Sequence, residues 1–524
     1  MRRTTSAVLL SILADTALSQ SCPDYSSYAQ QRHEPYSSGK YALSYQRPSP
    51  SCRTFNSSLI ESTIANISAA IADPDLARLF ENAYPNTLDT AIKWHGTAAS
   101  NPAEELTFII TGDIDAMWLR DSTNQLQSYA PLLAASAASA DSPLASLYRG
   151  AINLQGRYLL TAPFCNSFQA PPESGIAPAH NSAADSDRVV PGYDHSQVFE
   201  CKYELDSLAS FLELSASYWG ATKDLDFFAG FHWISAVQAV LATAQAMTTP
   251  TYGDDGGVLR SPYTFIRDTT RATETLANDG LGSPVARGTG LVRSAFRPSD
   301  DSTIFQFLVP ANMMFAGFLG KAAEIVAALE GKGKAPGGLS KEMKSFAGDI
   351  RAAITRHGVV SVAGADGGTE TVYAYEVDGF GSANVMDDAN IPSLLSAPLL
   401  GYLDRDDPLY RRTRERILGQ NGNPYFMRGP AINAVGGPHV GPGMAWPMAS
   451  IVRILTSDDD KEIADTLKDL VSTTDGLGLI HESINTFNPS RWTRQWFSWA
   501  NGLFGQMIID LHARKPEILK KSFQ

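Results

Sequence analysis

Apolar residues recur at helical spacing along most of this chain, and this periodicity limits the fold more than any other feature of the sequence. A stripe of apolar residues every three or four positions marks a helix that buries one face. Strand signals are clear only in "LTFIIT" and "TETVYAYEVDGF". The pattern predicts about twelve helices, over 57–71, 122–138, 143–160, 203–219, 226–247, 302–329, 340–357, 391–402, 407–418, 445–456, 460–473 and 494–514.

This number of helices constrains the architecture as well as the class. No low-complexity linker and no clear domain boundary divides the 524 residues. Helices joined by loops without such a boundary fit one all-α toroid of paired helices, in which each helix covers the apolar stripe of its neighbour. Separate helical bundles would fit the same pattern less economically.

The first residues have the parts of a secretory signal peptide. Two arginines open the chain, an apolar run covers 7–13, and small residues follow it. A membrane-spanning helix needs about 20 apolar residues, and Asp15 interrupts this run early. We therefore predict a secreted protein with a cleaved signal peptide over 1–19, an extended N-terminal segment over 20–55 and one folded domain over 56–524.

Four cysteines follow the predicted signal peptide: Cys22, Cys52, Cys165 and Cys201. An even number in a secreted chain indicates two disulfides. Pairing of sequence neighbours predicts one between Cys22 and Cys52 and another between Cys165 and Cys201. No Cys/His cluster has the spacing of a zinc site, so we expect no thiolate metal centre.

The charge of the chain narrows its partners. A net charge of −13 argues against nucleic acid or an anionic membrane, because either would require a basic face. An acidic protein suits an uncharged partner. Sequons at Asn56 and Asn66 predict glycosylation on exposed faces.

Four stretches concentrate carboxylates, arginines and aromatic side chains: "TGDIDAMWLRDST", "KYELDSL", "SAFRPSDDSTIF" and "HESINTFNPSRWTRQWFSWAN". Part of this charge has a structural explanation. Asp121 or Ser122 could cap the following helix, one of Asp300 and Asp301 could cap the next, and the acidic residues of "KYELDSL" suit the first turn of a helix. Capping does not explain adjacent aspartates, or Glu482 in a loop rich in aromatic groups.

Paired carboxylates beside stacking aromatics are the groups that glycoside hydrolysis requires. One carboxylic acid protonates the leaving oxygen, while a carboxylate activates water or attacks carbon. Two other classes remain open at this point. The "DID" sequence resembles the metal-binding Asp-x-Asp of a glycosyltransferase, although no nucleotide-binding α/β pattern accompanies it. A secreted lectin-like or structural protein is the other, although such proteins are more often rich in strands.

Five motifs in the same order resemble glycoside hydrolase family 125: "TGDIDAMWLRDST", "KYELDSL", "FRPSDDSTIFQFLVPANMMFA", "YAYEVDGFGSANVMDDANIPSLL" and the segment from "HESIN" to "WFSWANGLFGQMI". They run from about 107 to 510, nearly the whole mature chain. The resemblance implies a fungal secreted exo-α-1,6-mannosidase whose catalytic domain, over 56–524, is an (α/α)6 barrel with a few short strands. It implies a mannose-containing oligosaccharide as substrate, and we expect a monomer without a cofactor.

The resemblance also implies an inverting, metal-independent mechanism with roles for individual residues. Glu482 is the expected general base, and the general acid is either Asp300 or Asp301, which the sequence alone does not separate. Inversion places the two carboxyl groups roughly 6.5–9.5 Å apart, with the attacking water between them. The residues expected to hold the sugar are Asp115, Trp118, Arg120, Asp121, Arg297, His439, His481, Arg491 and Trp492. Two alternatives remain. One is another inverting glycosidase of the same toroid class, such as a glucosidase, and the other is a non-catalytic glycan-binding protein.

Overall fold

The computed structural model describes residues 22–136, 142–364, 367–419 and 421–524. The predicted signal peptide lies outside these residues. Helices dominate the described chain, as the periodicity predicts. Its fifteen α-helices are α1 (Tyr25–Tyr28), α2 (Ser58–Ala70), α3 (Pro74–Ala83), α4 (Leu119–Gln127), α5 (Ala130–Ser136), α6 (Pro143–Thr161), α7 (Leu205–Thr222), α8 (Leu225–Phe228), α9 (Trp233–Ala246), α10 (Val309–Glu330), α11 (Leu339–His357), α12 (Pro408–Ile417), α13 (Pro447–Leu455), α14 (Asp460–Ser472) and α15 (Ser498–Arg514).

The strands are short and pair into small antiparallel sheets of two or three strands. Both strand signals read from the sequence are confirmed, in β2 and in β10 with β11. Within the described residues the strands are β1 (Ile92–Ala98), β2 (Asn101–Ile109), β3 (Met117–Trp118), β4 (Ser167–Phe168), β5 (Arg188–Val190), β6 (Val198–Glu200), β7 (Thr264–Ile266), β8 (Phe307–Leu308), β9 (Val359–Ala363), β10 (Thr369–Tyr373), β11 (Glu376–Val377), β12 (Ala383–Asn384), β13 (Phe426–Met427), β14 (Ala434–Val435), β15 (Met444–Ala445), β16 (Ser483–Asn485) and β17 (Asn488–Thr493).

Five helices form a continuous inner row, which we call the inner helices. Helix α10 packs on α7, α7 on α4, α4 on α15, and α15 on α13. A second layer covers them: α11 lies on α10, α6 on α7, α3 on α15 and α14 on α13, with α9 against α6. The apolar stripes of both layers meet in one large buried core, so the helices are paired as the sequence predicts.

The helix predicted over 391–402 does not form. This segment begins next to Asn390 and folds as consecutive turns, and the carbonyl of Leu400 packs against Gly317 of α10. Pro398 would remove a backbone donor from a helix and clash with the preceding turn. The hydroxyls of Ser393 and Ser396 accept hydrogen bonds from each other's backbone N–H groups, which favours a turn.

Three predicted helices begin later or break. The helix predicted over 122–138 is divided into α4 and α5, with Ser128 and Tyr129 between them. The helix predicted over 302–329 begins only at Val309, because β8 pairs with β11 just before it and Pro310 occupies its first turn. The helix predicted over 226–247 splits into α8 and α9 around Phe231, whose φ of 53° lies in the left-handed region. Helix α3, which the sequence pattern did not predict, begins at an Asp73–Pro74 pair.

Helix α10 is long and apolar enough, by composition alone, to cross a membrane. However, 72% of its most apolar window is buried inside the protein. We therefore interpret α10 as the core helix of the domain, packed between α7 and α11.

Covalent and ionic contacts hold the N-terminal segment against the helical domain. Both predicted disulfides are confirmed, Cys22–Cys52 and Cys165–Cys201. Arg47 of this segment is 5% exposed and forms an ion pair with Asp89 at 2.7 Å, which is itself 3% exposed. A buried carboxylate needs such a partner, because the ion pair offsets the free energy lost when the carboxylate gives up its hydration.

Replacing Arg47 by Met should destabilise the fold by about 3 kcal/mol, since Asp89 would remain buried without its closest partner. The midpoint of urea unfolding measures this loss. Lys461→Met is the matched control, because its pair with Asp465 is exposed and should change stability by less than about 1 kcal/mol. Equal shifts for the two variants would contradict the assigned role of Arg47.

Candidate active site

A pocket open to solvent, with an empty volume of about 390 Å³, lies at the ends of the inner helices. Its walls come from segments that are far apart in the sequence, between Thr111 and Trp499, and both catalytic regions expected from the sequence reach it. Its lining consists of Thr111, Ile114, Trp118, Arg120, Asp121, Pro298, Ser299, Asp300, Asn390, His439, Trp446, Glu482, Arg494, Phe497 and Trp499.

Three inner helices contribute an aromatic side chain from the residue that precedes their first turn. Trp118 occupies this N-cap position of α4, Trp446 that of α13 and Phe497 that of α15. None of these side chains has an oxygen that could accept a hydrogen bond from the helix backbone. The usual capping residue is therefore replaced by a ring that faces the pocket. Aromatic faces of this kind pack against the apolar face of a sugar.

Asp300 enters the pocket from a tight turn between Arg297 and Asp301. The Asp300 N–H donates to the Arg297 carbonyl at 2.9 Å, and the Arg297 N–H donates to the Asp301 carbonyl at 2.8 Å. Asp300 has a φ of 64°, in the left-handed region that aspartate tolerates better than most residues. Behind the turn, Arg297 forms a buried ion pair with Glu376 at 2.7 Å, so the turn is fixed from below.

Arg120, only 3% exposed, is surrounded by four carboxylates. Its guanidinium nitrogens lie 2.5 Å from Glu204, 3.3 Å from Asp206, 3.5 Å from Asp121 and 3.6 Å from Asp300. Glu204 occupies the N-cap position of α7, and its carboxylate turns to Arg120. This cation therefore joins α4, α7 and the Asp300 turn at one point.

Glu482 is held by a different set of groups. Thr493 donates its hydroxyl to one carboxylate oxygen at 2.8 Å, and Arg494 donates to the other at 3.2 Å. Arg494 also binds Asp113 through its guanidinium and lies over the ring of Phe497 at 4.6 Å. The Glu482 carboxylate thus faces the pocket from the β16–β17 hairpin, and Asp300 faces it from the Arg120 side.

Comparison with known proteins decides the family. The family model described as "Metal-independent alpha-mannosidase (GH125)" matches residues 73–509. This chain belongs to glycoside hydrolase family 125. The Meiotically up-regulated gene 157 protein of Schizosaccharomyces pombe is 47% identical over 504 residues, which cover 96% of this chain and 95% of that protein.

A solved structure of the family superposes on this one. It is a metal-independent α-mannosidase from Streptococcus pneumoniae in a non-productive substrate complex with α-1,6-mannobiose. The sequences are 33% identical, the TM-score is 0.75, and the match covers 88% of this chain and 100% of the other. The described chain is thus a family 125 α-mannosidase, as the five motifs predicted.

Asp301, the other candidate for the acid in this family 125 member, lies outside the lining of the described pocket. It is 2% exposed and one of its oxygens is 3.3 Å from Nδ1 of His439, which does line the pocket. Burial alone lowers the pKa of His439, but the hydrogen bond and charge of Asp301 outweigh it and raise that pKa to about 9. Asp301 therefore positions a charged His439. Neither aspartate caps α10, contrary to the sequence-based alternative, because α10 begins at Val309.

Three other predicted sugar-binding residues lie away from the pocket lining of the described chain. Asp115 is exposed and pairs with Lys93 at 3.0 Å, because the "DID" turn directs it outward. Arg297 lies behind the Asp300 turn, as described above. Arg491 is exposed on β17.

His481 and Trp492 also form a contact that is separate from the pocket lining of the described residues. Their rings stack at 4.4 Å, and the indole N–H of Trp492 donates to Asp475 at 3.2 Å. Burial lowers the pKa of His481 to about 3, so its ring is neutral. This stack supports the base of the hairpin that carries Glu482.

The structure brings the predicted residues Trp118, Arg120, Asp121 and His439 to the pocket lining, but the sequence analysis did not single out several others. Asn390 follows "MDD" in a motif already quoted, and Trp446 precedes the proline that opens α13. An aromatic residue directly before a helix, where a capping residue is expected, was the available signal. The remaining pocket residues missed in this way are Thr111, Arg494, Phe497 and Trp499.

The pair between Asp301 and His439 should make stability depend on pH. Because the folded pKa of His439 is about 9 and the unfolded value is about 6.5, its stabilisation is complete below the unfolded value and is lost as the pH rises through the folded one. Asp301→Asn should therefore cost more stability at about pH 6 than at about pH 9.5, measured by thermal unfolding.

The matched control is Asp185→Asn, because the contact of Asp185 with His180 is exposed. It should change the unfolding temperature little at either pH. If Asp301→Asn lowers the stability equally at both pH values, the result would contradict the charged state of His439.

Proposed function

We propose that this α-mannosidase is exo-acting and inverting, and that it removes terminal α-1,6-linked mannose from oligosaccharides or glycans. Family membership supplies the α-mannosidase activity. The α-1,6-mannobiose bound by the relative from Streptococcus pneumoniae supports the linkage. The observation that carries the mechanism is the presence of two separately held carboxylates, Asp300 and Glu482, in the walls of one pocket.

In this proposal Asp300 is the general acid and Glu482 the general base. Asp300 lines the pocket and receives hydrogen bonds from Trp118 at 3.3 Å and Asn166 at 3.1 Å, which orient its carboxyl group. Asp301 faces away toward His439, which supports the choice of Asp300 between the two aspartates. Thr493 and Arg494 each donate to one oxygen of Glu482, which orients the carboxylate toward the position of the attacking water.

The catalytic step then follows the inverting scheme. Asp300 gives a proton to the glycosidic oxygen as the bond between that oxygen and the anomeric carbon breaks, and the bonding electrons go to the oxygen. Water attacks the anomeric carbon from the opposite face, and Glu482 accepts its proton. Every step uses side chains of this chain, consistent with the metal-independent description of the family.

Unsatisfied polar atoms at the pocket support a sugar as the ligand. Asp121 Oδ2, Arg120 Nε and the indole nitrogens of Trp446 and Trp499 are buried without a hydrogen-bond partner in the part of the chain that the structure describes. A buried polar atom of this kind costs free energy until a partner arrives. The hydroxyl groups of a terminal mannose offer both donors and acceptors to complete these bonds.

We also propose that the paired layers close into an (α/α)6 barrel, with the 391–402 segment in place of a sixth inner helix. The segment directly follows Asn390 of the pocket lining and contacts α10, and both observations support this placement. Secretion after removal of residues 1–19, with one catalytic domain over 56–524, is part of the same proposal. Two disulfides and exposed Asn56 and Asn66 support it.

Proton NMR of the purified protein with α-1,6-mannobiose and a chelator tests linkage, stereochemistry and metal independence together. We expect β-mannose to appear first, because water attacks the face opposite the leaving group. Initial release of α-mannose would mean retention and would contradict the assigned base. Absence of cleavage would contradict the α-1,6 linkage, or the enzyme assignment if other mannosides also remain intact.

Single substitutions test the two roles. Asp300→Asn and Glu482→Gln should each lower kcat on α-1,6-mannobiose by about 10²–10⁴-fold, the usual contribution of a general acid or base. Asp301→Asn is the matched comparison for the acid and should lower kcat by less than about tenfold, since it acts only through His439. A larger loss for Asp301→Asn than for Asp300→Asn would reverse the assignment.

A further inference from the structure

The site contains more buried carboxylates than cations to balance them. Asp121, Glu204, Asp206 and Asp300 all lie within 3.6 Å of the single guanidinium of Arg120. Four ionised carboxylates around one such cation would repel one another strongly in a low-dielectric site. The second nearby cation, Lys202, is also shared with Glu200 at 3.5 Å. At least one carboxyl group of this cluster therefore retains a proton.

The contacts indicate where that proton lies. The carboxyl groups of Glu204 and Asp300 are neighbours, since both contact the guanidinium of Arg120, and two ionised carboxylates so placed repel each other until one of them takes a proton. Asn166 reinforces the contact, since its amide donates to Glu204 at 3.2 Å and to Asp300 at 3.1 Å. The orientation of this amide is fixed, because its oxygen accepts from the backbone N–H of Lys202 at 3.0 Å.

Burial and nearby charges shift the pKa values of Glu204 and Asp300 in opposite directions. Burial raises the pKa of Glu204 well above its ordinary value, although Arg120 opposes the rise. Burial also acts to raise the pKa of Asp300, but the cations of Arg120 and Lys202 outweigh it and hold that pKa below its ordinary value. The proton of the resting pair therefore belongs to Glu204, whose side chain is fully buried, whereas a quarter of the Asp300 side chain is exposed to the pocket.

A general acid must carry a proton when it acts, and Asp300 lacks one in this arrangement. We propose that Glu204 is a positioning residue that stores the proton of the reaction and passes it to Asp300, whose carboxyl group accepts from the same Asn166 amide. This inference rests on the proposed role of Asp300 as the acid. Asp206 is the contrasting residue, because it binds the same Arg120 at 3.3 Å but, among the described contacts, accepts no hydrogen bond from Asn166.

The transfer balances in atoms and charge. The O–H bond of Glu204 breaks as an O–H bond forms on Asp300, and Asp300 protonates the glycosidic oxygen as its bond to carbon breaks. Glu482 accepts the proton of the attacking water. After the reaction Glu204 is ionised and Glu482 is protonated, and proton exchange with the solvent restores both groups.

Glu204→Gln tests the proposal, because an amide can still donate to Asp300 and accept from Arg120 but cannot deliver a proton. With α-1,6-mannobiose, whose leaving group needs protonation, kcat should fall by about 10²-fold or more. With α-mannosyl fluoride, whose fluoride leaves with far less assistance, kcat should stay within about threefold of the wild-type value. The quantity of interest is the ratio of the two losses.

Asp206→Asn is the matched control. It also removes a carboxylate partner of Arg120, so it should lower kcat for both substrates by similar factors. If Glu204→Gln lowers kcat equally on both substrates, Glu204 is only a structural support. If kcat on mannobiose is unchanged, Asp300 takes its proton directly from solvent. Either result overturns the proposal. If the wild-type protein fails to cleave mannobiose, the proposed function fails first, and the two failures are therefore distinguishable.

A second measurement does not depend on the folding of the Glu204 variant. Infrared difference spectra between the wild-type protein and Asp300→Asn, with the glutamate side-chain carboxyl carbons labelled with ¹³C, report the protonation of glutamate. We expect a labelled carboxylic-acid band in the wild type at neutral pH that disappears in Asp300→Asn, because the remaining Arg120 contact then favours ionised Glu204. An identical labelled band in both proteins would contradict proton storage on Glu204.

Discussion

The buried guanidinium of Arg120 is the interaction on which the active site depends. It extends from α4 to two carboxylates of α7 and to the turn that carries Asp300, so one cation fixes three separate parts of the chain. Its plane lies over the Trp499 ring at 5.6 Å, which adds α15 to the same cluster. Burying this cation among several carboxylates is tolerable because its close ion pairs with Glu204 and Asp206 offset part of the lost hydration. The same imbalance of charge retains a proton beside the proposed acid.

The inner helices give up part of their own stability to build this pocket. A serine or aspartate at the N-cap contributes about 1 kcal/mol to a helix, and α3 uses Asp73 in that way. The helices α4, α13 and α15 instead begin with an aromatic residue, and α7 begins with Glu204, whose carboxylate turns to Arg120. Packing between the two helical layers compensates for these missing caps. The helix ends are therefore specialised for ligand contact, while the helix bodies remain ordinary core.

The sequence predicted the features that depend on local pattern. Helical periodicity located most helices, and the five motifs led to the family and to Arg120, Asp121 and Glu482. Features that depend on contacts distant in the sequence were not predictable. The outward direction of Asp115, the stack of His481 on Trp492 and the turn structure of 391–402 all follow from tertiary neighbours. The choice between Asp300 and Asp301 likewise required the left-handed turn that directs one aspartate into the pocket and the other to His439.

The most direct test of this account is a crystal structure of the Glu482→Gln variant with intact α-1,6-mannobiose. The terminal mannose should lie in the pocket, with the Asp300 carboxyl about 2.6–3.2 Å from the glycosidic oxygen. A water molecule should lie on the opposite face of the anomeric carbon, bonded to the side chain at position 482. A glycosidic oxygen bound beside position 482, or a mannose held outside this pocket, would contradict the account.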